Sequence, residues 1–97
     1  MFTHIACFRW VEGTGPDDVA AVIAALRELP ALVPGIRDYR CGADAGLAEG
    51  NYDFAVVASF DDRDAYLLYA THPAHQRVLS DVVRPRVATR VAVQIEA

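Results

Sequence analysis

A chain of 97 residues holds one hydrophobic core and no more, because a domain of this size buries only somewhat over ~60% of its unfolded surface. All nine basic residues are arginine and the formal charge is -4, with a pI near 5.1, a balance that argues against nucleic acid and anionic membrane, both of which need clustered cations. No apolar run reaches the ~18 residues of a membrane helix, and the first residues alternate like a strand where a signal peptide would be basic and then apolar, so a soluble cytoplasmic protein is expected.

At 54% hydrophobic residues, the chain is richer in apolar material than one small isolated core needs. The surplus is expected to face a partner, and a second copy is the simplest one. Cys7 and Cys41 are too few for a disulfide scaffold and lack metal spacing, so they read as reduced, packed thiols.

Residues 3–11 alternate with aromatic and β-branched enrichment, which predicts a strand. His4, Ala6, Phe8 and Trp10 share one face; Ile5, Cys7, Arg9 and Val11 share the other. Gly13 and Gly15 mark a turn. Pro16, Asp17 and Asp18 then open a helix, with proline in the first turn and two carboxylates against the positive end of its dipole. Val19, Val22, Ile23, Leu26 and Leu29 form its apolar stripe. Pro30 and the pair Pro34 and Gly35 are expected to end it.

A mixed second strand follows over residues 36–42, where Arg37, Tyr39 and Cys41 alternate with Ile36, Asp38 and Arg40, as on a sheet edge. Residues 43–50 form a long loop. Residues 53–60 are apolar almost throughout and suit a central strand, with Phe54, Val56, Ala58 and Phe60 on one face and Asp53, Ala55, Val57 and Ser59 on the other. The acidic run 61–64 caps a helix carrying Tyr66 and Tyr69. The last strand, residues 87–95, sets Val87, Thr89, Val91, Val93 and Ile95 against Ala88, Arg90, Ala92, Gln94 and Glu96.

Between the last two elements lies Thr71-His72-Pro73-Ala74-His75. A residue before proline is pushed out of the α region and proline suits the first position of a helix. His72 is therefore predicted to cap, and Pro73 to open, a second helix with His75 in its first turn. The helix-start field disfavours imidazolium, so His75 should stay neutral and able to accept a proton.

The order strand, helix, strand, strand, helix pair, strand fits an α+β, ferredoxin-like βαββαβ fold with a four-stranded antiparallel sheet and helices on one face. The first strand then lies between the third and fourth, and the second is an edge. The bare face, with Ile5, Cys7, Ala55 and Val57, is too apolar for water, so two sheets are expected to pack face to face as a homodimer. Arg9 and Arg90 are expected on that face, with Asp53 and Glu96 as candidate partners.

The run Tyr-x-x-His-Pro-Ala-His, its preceding strand YDFAVVASF, the opening THIACFR and the segment VPGI together resemble the stress-responsive A/B barrel (Dabb) family over nearly the whole chain. The resemblance implies a single domain over residues 1–97 and a dimeric α+β barrel. A plant polyketide cyclase of that family implies roles for Tyr69 and His75; it carries histidine where Phe54 stands here and tryptophan where Arg86 stands, which implies a differently shaped pocket.

If the helix-side face does not close completely, an aromatic-lined cavity remains, the usual form of a small-molecule site. His75 would act in it as base and Tyr69 as acid, on a small apolar or aromatic molecule. His4, Phe8, Trp10, Phe54, Val56, Tyr66 and His72 are the expected binding residues. No cofactor is expected, and no metal: His4, His72 and His75 lack a carboxylate or thiolate at a completing spacing, and a capping His72 points away from His75. Two alternatives stand beside this reading. One is a non-catalytic stress or accessory protein in which the histidines hold the helix junction. The other is a cofactor-independent monooxygenase, which Trp10 and Tyr69 would suit.

Overall fold

The computed structural model describes residues 1–97. Strand β1 (Phe2–Trp10) leads into helix α1 (Pro16–Arg27) and a single turn α2 (Leu29–Leu32), then β2 (Ile36–Ala43) and β3 (Phe54–Phe60). Helices α3 (Arg63–Thr71) and α4 (Pro73–Val78) follow, then a π-helical turn (Leu79–Val83), a 3-10 turn (Arg84–Arg86) and β4 (Val87–Glu96). All strand pairs are antiparallel and the order is β2-β3-β1-β4. This is the ferredoxin-like arrangement expected, with β1 central and β2 at an edge.

Local chemistry accounts for the element ends. The Asp18 carboxylate accepts the Gly15 N–H at 3.0 Å at the start of α1 and also takes the Arg86 Nε at 3.1 Å, tying that helix to the 3-10 turn. Asp62 Oδ1 accepts from Ala65 N–H at 2.9 Å to start α3. α1 ends at Arg27, ahead of Pro30 as expected, and Pro30 itself lies in the first turn of α2, where its missing N–H costs nothing. α2 stops at Leu32 with Val33 extended as its cap, and Gly35 then turns the chain into β2 with a φ of 92°, a left-handed conformation that favours glycine.

Phe2, His4, Ala6 and Phe8 of β1 and Phe54, Val56, Ala58 and Phe60 of β3 are all buried against the helices. Val22, Leu26, Leu29, Val33, Tyr69 and Val83 close over them. Only 15 of 97 residues are buried, because the outer face of the sheet has no cover. There Val91, Val93 and Ile95 are 46%, 61% and 47% exposed, alongside half-buried Ile5, Cys7, Ala55 and Val57.

Two irregularities change which residues share a face. The β2–β3 register slips at Arg37, so Ile36 joins Tyr39 and Cys41 on the helix side, where strict alternation puts them on opposite faces. The β1–β4 register slips between Arg9 and Trp10, so Val87 pairs with Trp10 while Arg90 pairs with Phe8 and Gln94 with His4. A bulge inserts one residue and inverts the parity beyond it.

Arg90 therefore faces the helices, and its expected place on the outer face is corrected. The expected ion pairs are corrected too. Glu96 binds Arg63, Asp53 Oδ2 accepts the Trp10 N–H at 2.9 Å, and Arg9 reaches the Gly50 and Asn51 carbonyls while lying over the Tyr52 ring. Both cysteines are free. Cys41 pairs with Val56 and Cys7 with Ala55, so the two thiols lie on opposite faces of the sheet.

Candidate functional site

The α3–α4 junction places the chemistry. Pro73 has no N–H to give the Tyr69 carbonyl, which takes the His72 N–H at 3.2 Å instead. The Ala74 N–H, which would otherwise close a turn on Ala70, goes to His72 Nδ1 at 3.1 Å. His72 thus ends α3 and caps α4, as its position before proline predicts. The Ala70 carbonyl is left for side chains, and both the Gln76 amide and His75 Nδ1 reach it, the latter at 3.3 Å.

That last contact fixes the His75 tautomer. A carbonyl only accepts, so Nδ1 carries the proton and Nε2 is the basic nitrogen. The side-chain hydrogen bond of His75 is made at Nδ1 and leaves Nε2 without one, and the His75 side chain borders free space between sheet and helices. The pKa of His75 is lowered, first by burial, with Arg84 and Arg90 also disfavouring the cation. The neutrality expected from the helix start is therefore present, with burial as its main cause.

The free space is a cavity of about 320 Å³ between sheet and helices. Six of the nine expected site residues line it: His4, Phe8, Val56, Tyr66, Tyr69 and His75. Three do not, which corrects their expected place. His72 is committed to the cap. Trp10 and Phe54 pack on each other at 5.2 Å and on the cavity-lining Phe8 at 6.0 Å each, and do not line the cavity themselves.

Within the cavity the rings of Tyr69 and His75 lie 4.0 Å apart at 30°. The Tyr69 hydroxyl is 3.1 Å from that of Tyr39 on the edge strand. Burial raises both phenols, Tyr69 to about 12, while the bond from Tyr39 works the other way on Tyr69. With Tyr39 donating to Tyr69, the Tyr69 O–H remains free to donate into the cavity. His4 is held by Gln94 Nε2 at 3.1 Å from its Nδ1, and the same amide donates to the Tyr66 hydroxyl at 3.1 Å. Burial, then Arg90 and His75, lower the His4 pKa to about 4.

Tyr39, Gln76, Arg84 and Arg90 also line the cavity and were not among the expected residues. Arg84 arrives through the π turn: its N–H bonds the Leu79 carbonyl five residues back, so Leu79 and Arg84 present to the same side. Tyr39 and Arg90 arrive through register. The parity of β4 is readable in the sequence, but which parity meets Phe8 is a property of the pairing.

The sequence profile of the stress responsive A/B barrel domain matches residues 2–97. An uncharacterized protein of Streptomyces coelicolor is 35% identical over 78 residues, covering 78% of this chain and 80% of that one. A dimeric ferredoxin-like protein of unknown function from Thermobifida fusca superposes with a TM-score of 0.91 at 49% identity, covering 99% of this chain and 90% of that one. The hydroxynitrile lyase of Passiflora edulis has the same fold, with a TM-score of 0.83 at 16% identity over 97% of this chain and 90% of that one.

Proposed function

This chain belongs to the stress responsive A/B barrel domain family, and on that footing we propose that it is a homodimer whose protomers each bind a small apolar or aromatic molecule and carry out proton abstraction from an activated carbon. One observation carries the chemical part: the unengaged Nε2 of a tautomer-fixed, neutral His75 stands in the same cavity as the Tyr69 phenol.

The chemistry follows from those two groups. His75 Nε2 takes a proton from a carbon, and the Tyr69 O–H donates to the carbonyl oxygen as it becomes an enolate oxygen. The enolate carbon attacks a second carbonyl of the same molecule, and the imidazolium returns its proton to the alkoxide formed there. The balance is that of an aldol-type cyclisation, polyketide cyclase-like, with no oxidant, metal or cofactor. A histidine whose basicity is lowered by burial suits a carbon already acidified by two carbonyls, so a β-dicarbonyl compound is the fitting substrate. Tyr69, with its pKa near 12, stays protonated and acts by hydrogen bonding.

The uncovered strand faces carry the dimer part. Valines and an isoleucine half-exposed on β4 are unfavourable in water, and the 49% identical relative is dimeric. The passion-flower lyase shares the fold alone, and its activity lends nothing to the proposal. A cytoplasmic location stays part of the proposal; no helix is long and apolar enough to cross a membrane. The monooxygenase alternative is disfavoured by the place of Trp10 outside the cavity. A purely structural role for the histidine pair is disfavoured because only His72 is fully engaged by backbone.

The test is turnover of a linear β-triketo acid to its cyclic aldol, which loses water and enolises to the aromatic ring, followed by absorbance. We expect His75→Ala to lower the rate at least ~100-fold and Tyr69→Phe at least ~10-fold, with both variants dimeric and folded. Equal rates in wild type and His75→Ala would leave the cavity without its base and end the catalytic reading.

A further inference from the structure

Resting on the cavity reading above, we infer that the ligand is an anion: an apolar body carrying a carboxylate, held by the guanidinium groups of Arg84 and Arg90 at the cavity rim.

The protein has thirteen carboxylates to nine arginines, and five of those arginines are answered, while Arg27 and Arg77 are not but do not line the cavity. Arg37, Arg40, Arg63 and Arg86 each pair with an acid, and Arg9 is bound to carbonyls and a tyrosine ring. Arg84 and Arg90 make no ion pair and no side-chain hydrogen bond, although they come from two different elements and line one cavity. None of the sixteen lining residues is acidic. In an acidic protein this is the one concave surface where cations converge unanswered.

The other polar groups there complete a site for one end of a molecule. Gln94 holds His4 Nδ1, so with Gln94 donating, His4 presents Nε2–H as a donor. Both histidines are neutral, and the arginines are among the charges that keep them so. Two fixed cations and a neutral donor face a wall of Ala6, Phe8, Leu26, Val56, Leu79 and Val83. Such a surface favours a molecule with an apolar body and an anionic head, because guanidinium matches carboxylate in fork geometry and charge. A neutral ligand would leave both arginines facing an apolar, partly dehydrated group.

Calorimetry with a matched pair of probes, 4-phenylbutyrate and 4-phenylbutyramide, tests this on the full dimeric chain. The pair differs in charge with little change in size. The expected result is at least tenfold tighter binding of the carboxylate by wild type. In the double variant Arg84→Gln with Arg90→Gln that preference falls to under twofold, while the amide Kd changes less than twofold and so reports an intact cavity. Equal affinity of the two probes in wild type, or a preference that survives in the double variant, overturns the anion inference and leaves apolar binding in place. If neither probe binds, the cavity reading falls together with it.

Discussion

The imidazole of His75 stacks on the phenol of Tyr69 with ring centroids 4.0 Å apart, although the helix is broken between them at Pro73. The break is what allows the contact. His72 ends one helix and starts the next, turning α4 so that a residue six positions on comes to lie against Tyr69. The stack holds the imidazole plane, and the Ala70 carbonyl holds its tautomer.

Separating the stack from the base is therefore feasible. His75→Phe keeps an aromatic ring on Tyr69 and should cost about 1 kcal/mol, the worth of one hydrogen bond. His75→Ala opens a void and should cost about 2 to 3 kcal/mol. Urea denaturation distinguishes them. Both variants should lose α-carbon deuterium exchange of a β-keto acid in NMR; exchange retained in His75→Phe would sever the imidazole from the chemistry.

His72 tests the junction itself. Its Nδ1 caps Ala74 N–H, so His72→Ala should lower stability by about 1 kcal/mol, and His72→Asn, which can still cap, should recover most of it. Thermal melts give the ranking. Equal losses for Ala and Asn would mean the cap contributes nothing.

Stability should fall on acidification between about pH 6.5 and 4. The His4 pKa in the folded protein is about 4 against an ordinary value of 6.5, and that of His75 is lowered too. Between those values the unfolded chain binds protons that the folded one does not, so stability is complete above pH 6.5 and declines as pH falls through the window. Screening by nearby solvent reduces the His4 share to about 2 kcal/mol. Urea midpoints at pH 7 and pH 4.5 measure it, and His4→Gln should flatten the dependence.

On the outer face, Val93 is 61% exposed in the protomer, opposite Ile5 on β1. Val93→Glu places a charge where the proposed dimer buries apolar surface. Light scattering should then report a monomer near the 10.6 kDa of the chain. A dimer that persists unchanged would move the interface elsewhere.

Gly35 offers a check on the backbone. With φ at 92° and a Cβ contact of 3.4 Å to the Ala65 Cβ, Gly35→Ala should cost about 1 to 2 kcal/mol, mostly from the left-handed conformation. A melting temperature unchanged from wild type would contradict that geometry.

What the sequence determined by itself was local. The proline after His72, the carboxylate at Asp62 and the apolar alternation of β1 and β3 each act within a few residues, so the helix junction, the caps and the buried face were all legible in order along the chain. The strand order followed as well, since few topologies accommodate that order of elements. The tertiary structure alone decided what meets across the sheet. Pairing with Ala58 set Tyr39 on the helix side and a bulge near Arg37 let Ile36 join it, another beside Trp10 brought Val87 there, and pairing with Phe8 turned Arg90 into the cavity. A one-residue slip inverts every side chain beyond it, and nothing local in β2 or β4 sets where the slip falls. Trp10 and Phe54 lie on the predicted face yet do not line the cavity, because their large rings pack on each other and on Phe8. The polar end of the site therefore emerged only in the tertiary structure: Arg84 came through the π turn, and Arg90 and Tyr39 came when strands distant in the chain were paired, since register is an energy of contacts between segments and is not carried by either one.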